Sequence, residues 1–356
     1  MVYNFNAGPG ILPPEVMQEA ARAVLDFNGS GLSILEVGHR EAPFVAVMEE
    51  TRALIKELLQ LESNREVLLL QGGATMQFMQ VPMNLLAANQ TAAYTDTGTW
   101  SAKAIKEAKV FGQVEVVAST KENGYTSMPA SVTCSDTSAY LHITTNETIA
   151  GTQWQNIPYQ SKVPLVADMS SDIFSRVLDF NRFGLIYAGA QKNAGAAGAT
   201  LVVVNPDILG KTDRNIPSIL DYRLHIKEGS MLNTPPVFAV YVVLLTMRWL
   251  KQQGGVAAME KRNQQKSDLL YQTLESIPLF HLPITKESRS KMNVVFTFKD
   301  PSLEAAFSQQ CKEAGIVGIK GHRSVGGFRV SLYNALPLSH LEVLVQLMRD
   351  FAQKKG

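Results

Sequence analysis

Short apolar runs alternate with helix-length stretches through the first two thirds of the chain, and no other feature restricts the fold as much. The runs are Val67 to Leu70, Ala92 to Thr95, Val114 to Ala118, Ala139 to Thr144, Leu165 to Ala167, Leu185 to Ala188 and Thr200 to Val204. Helical stretches, Thr75 to Ala88 and Trp100 to Lys109, follow the first two runs. This order predicts an α/β fold with a mainly parallel central sheet flanked by helices. Two packing helices precede it: one opened by Pro13-Pro14 with Val16, Ala20, Val24 and Phe27 at helical spacing, and one opened by Pro43 with Phe44, Val47, Met48, Ile55 and Leu58 on one side. A long apolar helix beginning at Pro235 closes the series. The pattern then changes to helix (Val256 to Leu274), strand (Asn293 to Phe298), helix (Leu303 to Ala314), strand (Phe328 to Tyr333) and helix (Ser339 to Gln353). We read a large domain over residues 15–255, a smaller α+β domain over 256–356, and an N-terminal segment, 1–14, associated with the small domain.

A chain of 356 residues is long enough for such a two-part core. Its charge narrows the partners: 33 Lys and Arg against 32 Asp and Glu leave a net +1, without the long-range field that binds nucleic acid or an acidic membrane. Cys134 and Cys311 form neither a disulfide framework nor a zinc spacing, and the opening residues lack the basic and apolar segments of a signal peptide, so a reducing cytoplasm is expected. The apolar run from Val237 to Met247 is shorter than the ~20 residues of a membrane span and reads as a buried helix.

Lys192 follows the strand-like run Leu185 to Ala188, and Asp168 ends the run that precedes it. In a parallel α/β sheet both would project into the crevice at the carboxyl ends of the strands. A lysine amine can condense with the aldehyde of pyridoxal phosphate, and a carboxylate at a neighbouring strand tip can keep the pyridine nitrogen protonated so that the ring accepts electrons. Each residue alone is also explained as a solvated loop lysine or a helix cap. The junctions around them favour the cofactor. Gln71-Gly72-Gly73-Ala74-Thr75 passes from strand to helix, where free N–H groups and the Thr75 hydroxyl suit a phosphate. Thr97-Gly98-Thr99-Trp100 brings an indole able to stack on a ring, and Thr148 follows the strand ending at Thr144, within reach of a phenolic oxygen. Asn233-Thr234-Pro235-Pro236 opens the apolar helix with a second anion-competent end.

At these positions the chain resembles the phosphoserine aminotransferases, a branch of the fold-type-I, class V aminotransferases. The resemblance is carried by Asn4 to Gly10, Gly38-His39-Arg40, Gly189 to Asn193, Pro217 to Tyr222, Asn233 to Pro236, Arg289 to Val294 and Lys320-Gly321-His322-Arg323, so it spans nearly the whole chain. It implies that Lys192 is the lysine joined to pyridoxal 5'-phosphate and Asp168 the partner of its ring nitrogen, with Trp100 stacked on the ring and Thr148 at its phenolic oxygen. Ala74, Thr75 and Gln191 would bind the cofactor phosphate, joined by Asn233 and Thr234 from the partner subunit of a homodimer. Some relatives carry arginine where Thr75 stands, which leaves this chain one cation fewer near the phosphates.

Phosphoserine and glutamate each present an α-carboxylate and a distal anion, which guanidinium groups grip at two points. Arg329 is expected at the α-carboxylate, and His39, Arg40, His322 and Arg323 at the distal phosphate or γ-carboxylate. The expected reaction is transfer of the amino group between O-phospho-L-serine and 2-oxoglutarate, with phosphohydroxythreonine left open as a second substrate. Other readings account for less. A desulfurase of this fold needs a mobile reactive thiol, whereas Cys311 shares helical spacing with Leu303, Phe307 and Ala314. An alanine- or serine-glyoxylate aminotransferase has no use for two Gly-His-Arg segments. A nicotinamide dehydrogenase needs Gly-x-Gly-x-x-Gly after its first strand, which does not occur. A non-catalytic phosphate-binding protein leaves Asp168 and Lys192 without a task.

Overall fold

The structure, a computed structural model, describes residues 1–159 and 162–355. Its central sheet has seven strands in the order Glu66–Leu70, Thr200–Val204, Leu185–Gly189, Leu165–Asp168, Leu141–Thr144, Thr91–Asp96 and Gln113–Ser119. The last five pair in parallel, while Thr200–Val204 runs antiparallel to both its neighbours. Periodicity identified that segment as a strand but not its direction. The direction follows from the connection: only Ala190 to Ala199 separates it from the preceding strand, too short for a crossover of about a dozen residues or more. Because Glu66–Leu70 is antiparallel in turn to Thr200–Val204, it points the same way as the other five. Six strands therefore deliver their carboxyl ends to one edge.

Alternation along the buried strands divides the apolar core between two faces. Val67, Leu69, Ile186, Ala188, Leu201 and Val203 pack with Phe44 and Val240 from the helices Ala42–Leu58 and Val237–Gln252. Leu68, Leu70, Leu185, Tyr187, Val202 and Val204 pack with Phe78 and Ile105 from Gly73–Leu85 and Thr99–Ala108. The long apolar helix starts at Val237 rather than Pro235, since the residue before a proline is pushed out of the helical region and Pro236 serves as its cap. Among the described residues no helix is long and apolar enough to cross a membrane.

The C-terminal part carries the antiparallel strands Phe280–His281, Asn293–Phe298 and Phe328–Ser331, and the helices Gly255–Ser276, Glu304–Glu313 and Leu338–Lys355. They enclose a separate cluster in which Phe280, Phe296, Phe298, Phe307, Phe328 and Phe351 meet. Phe5 joins that cluster, and Tyr3–Asn4 pairs in parallel with Ile316–Val317. Cys311 is packed in the same core, where burial pushes its thiol up to about 12.

His142 lies on a central strand, stacked on Tyr94 at 4.7 Å and bonded through Nε2 to the Tyr187 hydroxyl at 2.9 Å. Burial drives its pKa from 6.5 down to about 3, so it is neutral in the fold. The unfolded chain binds that proton near the ordinary value, so the contribution is complete above pH 6.5 and lost as pH falls toward 3. His142→Phe should shrink the difference in unfolding free energy between pH 7 and pH 4.5 by roughly 2–3 kcal/mol. Urea titration of the cofactor-free protein at both pH values measures it, and an unchanged difference removes His142 as its source.

Candidate active site

A cavity of about 270 Å³ opens at the carboxyl edge of the sheet, lined by Ala74, Thr75, Trp100, Thr148, Asp168, Gln191 and Lys192 together with His322 and Arg329 from the C-terminal part. The strand Glu66–Leu70 leads to the turn at Gly72 and Gly73, both at positive φ (91° and 66°). The glycines let the chain enter Gly73–Leu85 abruptly, and among the described residues no side chain caps that helix, so the N–H groups of its first turn are left as an anion-binding end.

Asp168 ends its strand with a buried carboxylate, where Oδ1 accepts the Ser170 N–H at 2.9 Å. Burial raises its pKa, against the hydrogen bonds from Ser170 and the charge of Lys192. The Lys192 amine donates to Thr148 Oγ1 at 2.9 Å. Desolvation within the cavity lowers its pKa, the carboxylate of Asp168 pulls it back up, and the charge of Arg329 lowers it again. Arg329 donates from Nη1 to the Thr148 carbonyl at 3.2 Å, and its Nε is buried with no hydrogen-bond partner among the described residues.

Five residues expected at the site do not line this cavity. Asn233 lines a neighbouring groove with Met76 and Gln80, and the carbonyl of the adjacent Thr234 accepts from Gln71 Nε2 at 2.7 Å. Arg323 is exposed beside His322, whose Nδ1 meets Ser324 Oγ at 2.7 Å. Burial lowers the His322 pKa, and the charges of Arg329, Arg323 and Lys103 lower it further. His39 and Arg40 precede the helix Ala42–Leu58, with Arg40 exposed.

Several residues take places at the site that no local pattern announces. Gly8 lies against the Lys192 side chain, and its segment is held by the bond from Gly10 N–H to the Gln191 carbonyl at 2.7 Å and from the Tyr333 hydroxyl to the Ala7 carbonyl at 2.6 Å. The Asn4 to Gly10 block is a motif in the sequence, but its spacing does not place Gly8 against the lysine. Asn193 accepts the Asn334 N–H at 3.0 Å and so ties the lysine loop to the C-terminal part. Beneath Asp168, the ion pair of Arg176 with Asp172 (3.1 Å) and the bond from Thr145 Oγ1 to Asp172 (2.5 Å) fix the strand ends. Lys103 stands 4.5 Å from the Trp100 ring centroid, a cation one helical turn along that composition alone could not distinguish from surface charge.

Residues 2–344 match the family model of the class-V aminotransferases. The chain is 54% identical over 353 residues to a phosphoserine aminotransferase of Flavobacterium johnsoniae, and 53% identical over 353 residues to one of Flavobacterium psychrophilum, with 99% of each chain covered in both cases. It superposes on the solved phosphoserine aminotransferase of Bacillus circulans subsp. alkalophilus with a TM-score of 0.97 at 42% identity, covering 100% of this chain and 99% of that one. An amine, a carboxylate and an open helix end converging on one cavity, and full-length kinship to these enzymes, have the same explanation: the chain belongs to the class-V aminotransferases, in their phosphoserine aminotransferase branch.

Proposed function

We propose that this protein reversibly converts O-phospho-L-serine and 2-oxoglutarate into 3-phosphooxypyruvate and L-glutamate, in L-serine biosynthesis, with pyridoxal 5'-phosphate as cofactor. The observation that carries the reading is that Lys192, Asp168, the Trp100 indole and the uncapped end of Gly73–Leu85 face one cavity. That donor set fits the cofactor: uncapped N–H groups for a phosphate, a buried carboxylate for a cationic ring nitrogen, a flat indole for a ring and an amine of lowered pKa. Pyridoxal 5'-phosphate supplies an aldehyde that condenses with amines and a ring that takes up the electron pair of a breaking Cα–H bond.

The chain's own residues do the rest. Asp168 holds the proton on the ring nitrogen, and a cation beside it favours its ionised form. Lys192, aimed by Thr148, removes the proton from Cα as a base and gives it back as an acid, a task suited to an amine whose pKa is lowered. Arg329 binds the α-carboxylate with donors that include its unpartnered Nε. His322 and Arg323 take the distal anion. Replacing both, His322→Asn with Arg323→Gln, should raise the KM for phosphoserine by an amount worth about 2–4 kcal/mol, whereas Arg329→Lys should weaken every amino-acid substrate alike. A substrate panel tests this, and equal losses from both changes across the panel refute the division of roles.

We further propose a two-fold homodimer, in which Asn233 and Thr234 of the partner subunit complete the phosphate site and His39 and Arg40 serve the partner's distal anion. Their position outside the cavity of their own chain supports it. A Lys192→Ala chain refolded with a chain carrying Asn233→Asp and Thr234→Glu should regain activity, since one site of the mixed dimer has both sound parts. Mixed dimers that form and stay inactive would return Asn233 and Thr234 to their own subunit's site. The cytoplasm is the proposed compartment, where Cys134 and Cys311, both free, stay reduced.

A further inference from the structure

Glu147 is fully buried one residue before Thr148, and no role assigned above uses its carboxylate. Oε2 accepts the Trp100 N–H at 3.1 Å and Oε1 accepts the Ser101 N–H at 2.9 Å. The helix Thr99–Ala108 has Gly98 at its cap position, and glycine has no side chain with which to satisfy those donors. A carboxylate from a segment 46 positions away does so instead, at the positive end of the helix.

Gly98 is explained by the same contact. Its φ of 165° is extended backbone open to any residue, so conformation does not require glycine. Space does: a Cβ at Gly98 would overlap the Glu147 carboxyl group. The turn is fixed further by Ser101 Oγ, which accepts the N–H groups of Thr97 and Gly98, each at 2.9 Å. Glu147 itself is held by its pairing with Thr152 and by the Gly151 N–H, which donates to its carbonyl at 2.8 Å. Trp100 lines the cavity with Lys192, whose amine lies 5.8 Å from the indole centroid. Burial pushes the Glu147 carboxyl up to about 7, against the pull of the Ser101 and Trp100 N–H groups, so keeping an acid here opposes stability.

We propose that Glu147 is a positioning residue: by gripping the first N–H groups of Thr99–Ala108, its carboxylate sets the indole of Trp100 facing Lys192, and Gly98 is the room it needs. The proposal rests on the cofactor reading above and has a separate test. The affinity of the cofactor-free protein for pyridoxal 5'-phosphate is measured for the unchanged chain, Glu147→Gln, Trp100→Phe and the double variant, with thermal unfolding of each cofactor-free protein alongside. Glu147→Gln should weaken binding roughly tenfold. The double variant should bind no more weakly than Trp100→Phe alone, because without the indole there is nothing to aim. Gly98→Ala, which crowds the carboxylate without removing it, should reproduce the loss, and it replaces Glu147→Gln in the cycle if that variant does not fold. Losses that multiply in the double variant, or a Glu147→Gln protein that melts earlier yet binds the cofactor normally, overturn the proposal. An unchanged chain that binds no pyridoxal 5'-phosphate overturns the cofactor reading instead.

Discussion

Lys192→Ala is expected to lower turnover by at least about 10⁴-fold, the product of a lost covalent anchor and a lost proton carrier. The amine meets Thr148 Oγ1 and stands in the field of Asp168, and no other lysine lines the cavity among the described residues. The uncapped end of Gly73–Leu85 and the Trp100 ring remain in the variant, so it should still bind pyridoxal 5'-phosphate without a covalent bond. Borohydride reduction followed by peptide mass analysis is the decisive check: the cofactor mass should appear on the Lys192 peptide of the unchanged chain and nowhere on the variant. A variant with near-normal turnover would end the assignment.

Asp168→Asn should separate activity from stability. The neutral amide cannot hold a pyridinium proton, and loss of that charge pair in a buried site should lower kcat by about 10²–10³-fold. The fold should not suffer. An asparagine oxygen can still accept the Ser170 N–H, and the buried carboxylate is removed from a place that raises its pKa. A carboxyl whose folded pKa is raised loses stability as pH climbs above its unfolded value of 3.8, so the cofactor-free variant should be at least as stable as the unchanged chain at pH 8. The gap should narrow toward pH 4. Denaturant titrations at the two pH values, set beside half-reaction kinetics, read both effects, and unchanged kinetics would remove Asp168 from the mechanism.

Much of this was legible because strand tips announce themselves. Apolar runs ending in Asp168, or followed by Gly72–Gly73 or Lys192, mark the edge where groups meet, since burial demands the run and chemistry the residue after it. Strand direction was not legible from periodicity, and only the short link from Ala190 to Ala199 reveals that Thr200–Val204 turns back. Glu147 was hidden for a different reason. A carboxylate that caps a distant helix has no local pattern, and Gly98 resembles any turn glycine until the group filling its missing side chain is seen. Asn233, Thr234, His39 and Arg40 stand in motifs, but spacing along the chain does not reveal that they lie outside its cavity.

The placement of the first residues bears on how the enzyme is made. Tyr3 pairs with Ile316, and Ala7, next to the Gly8 that lies against the lysine, is held by the hydroxyl of Tyr333, 326 positions away. On the ribosome the sheet and most of its helices emerge long before these partners exist. Tyr3 and Ala7 leave the tunnel ahead of the whole sheet and must wait, unpaired, until Ile316 and Tyr333 are synthesised. Closure over Lys192 is therefore a late event in the life of each nascent chain, and a ribosome that stalls before Ile316 releases a molecule with a finished sheet and an unroofed site.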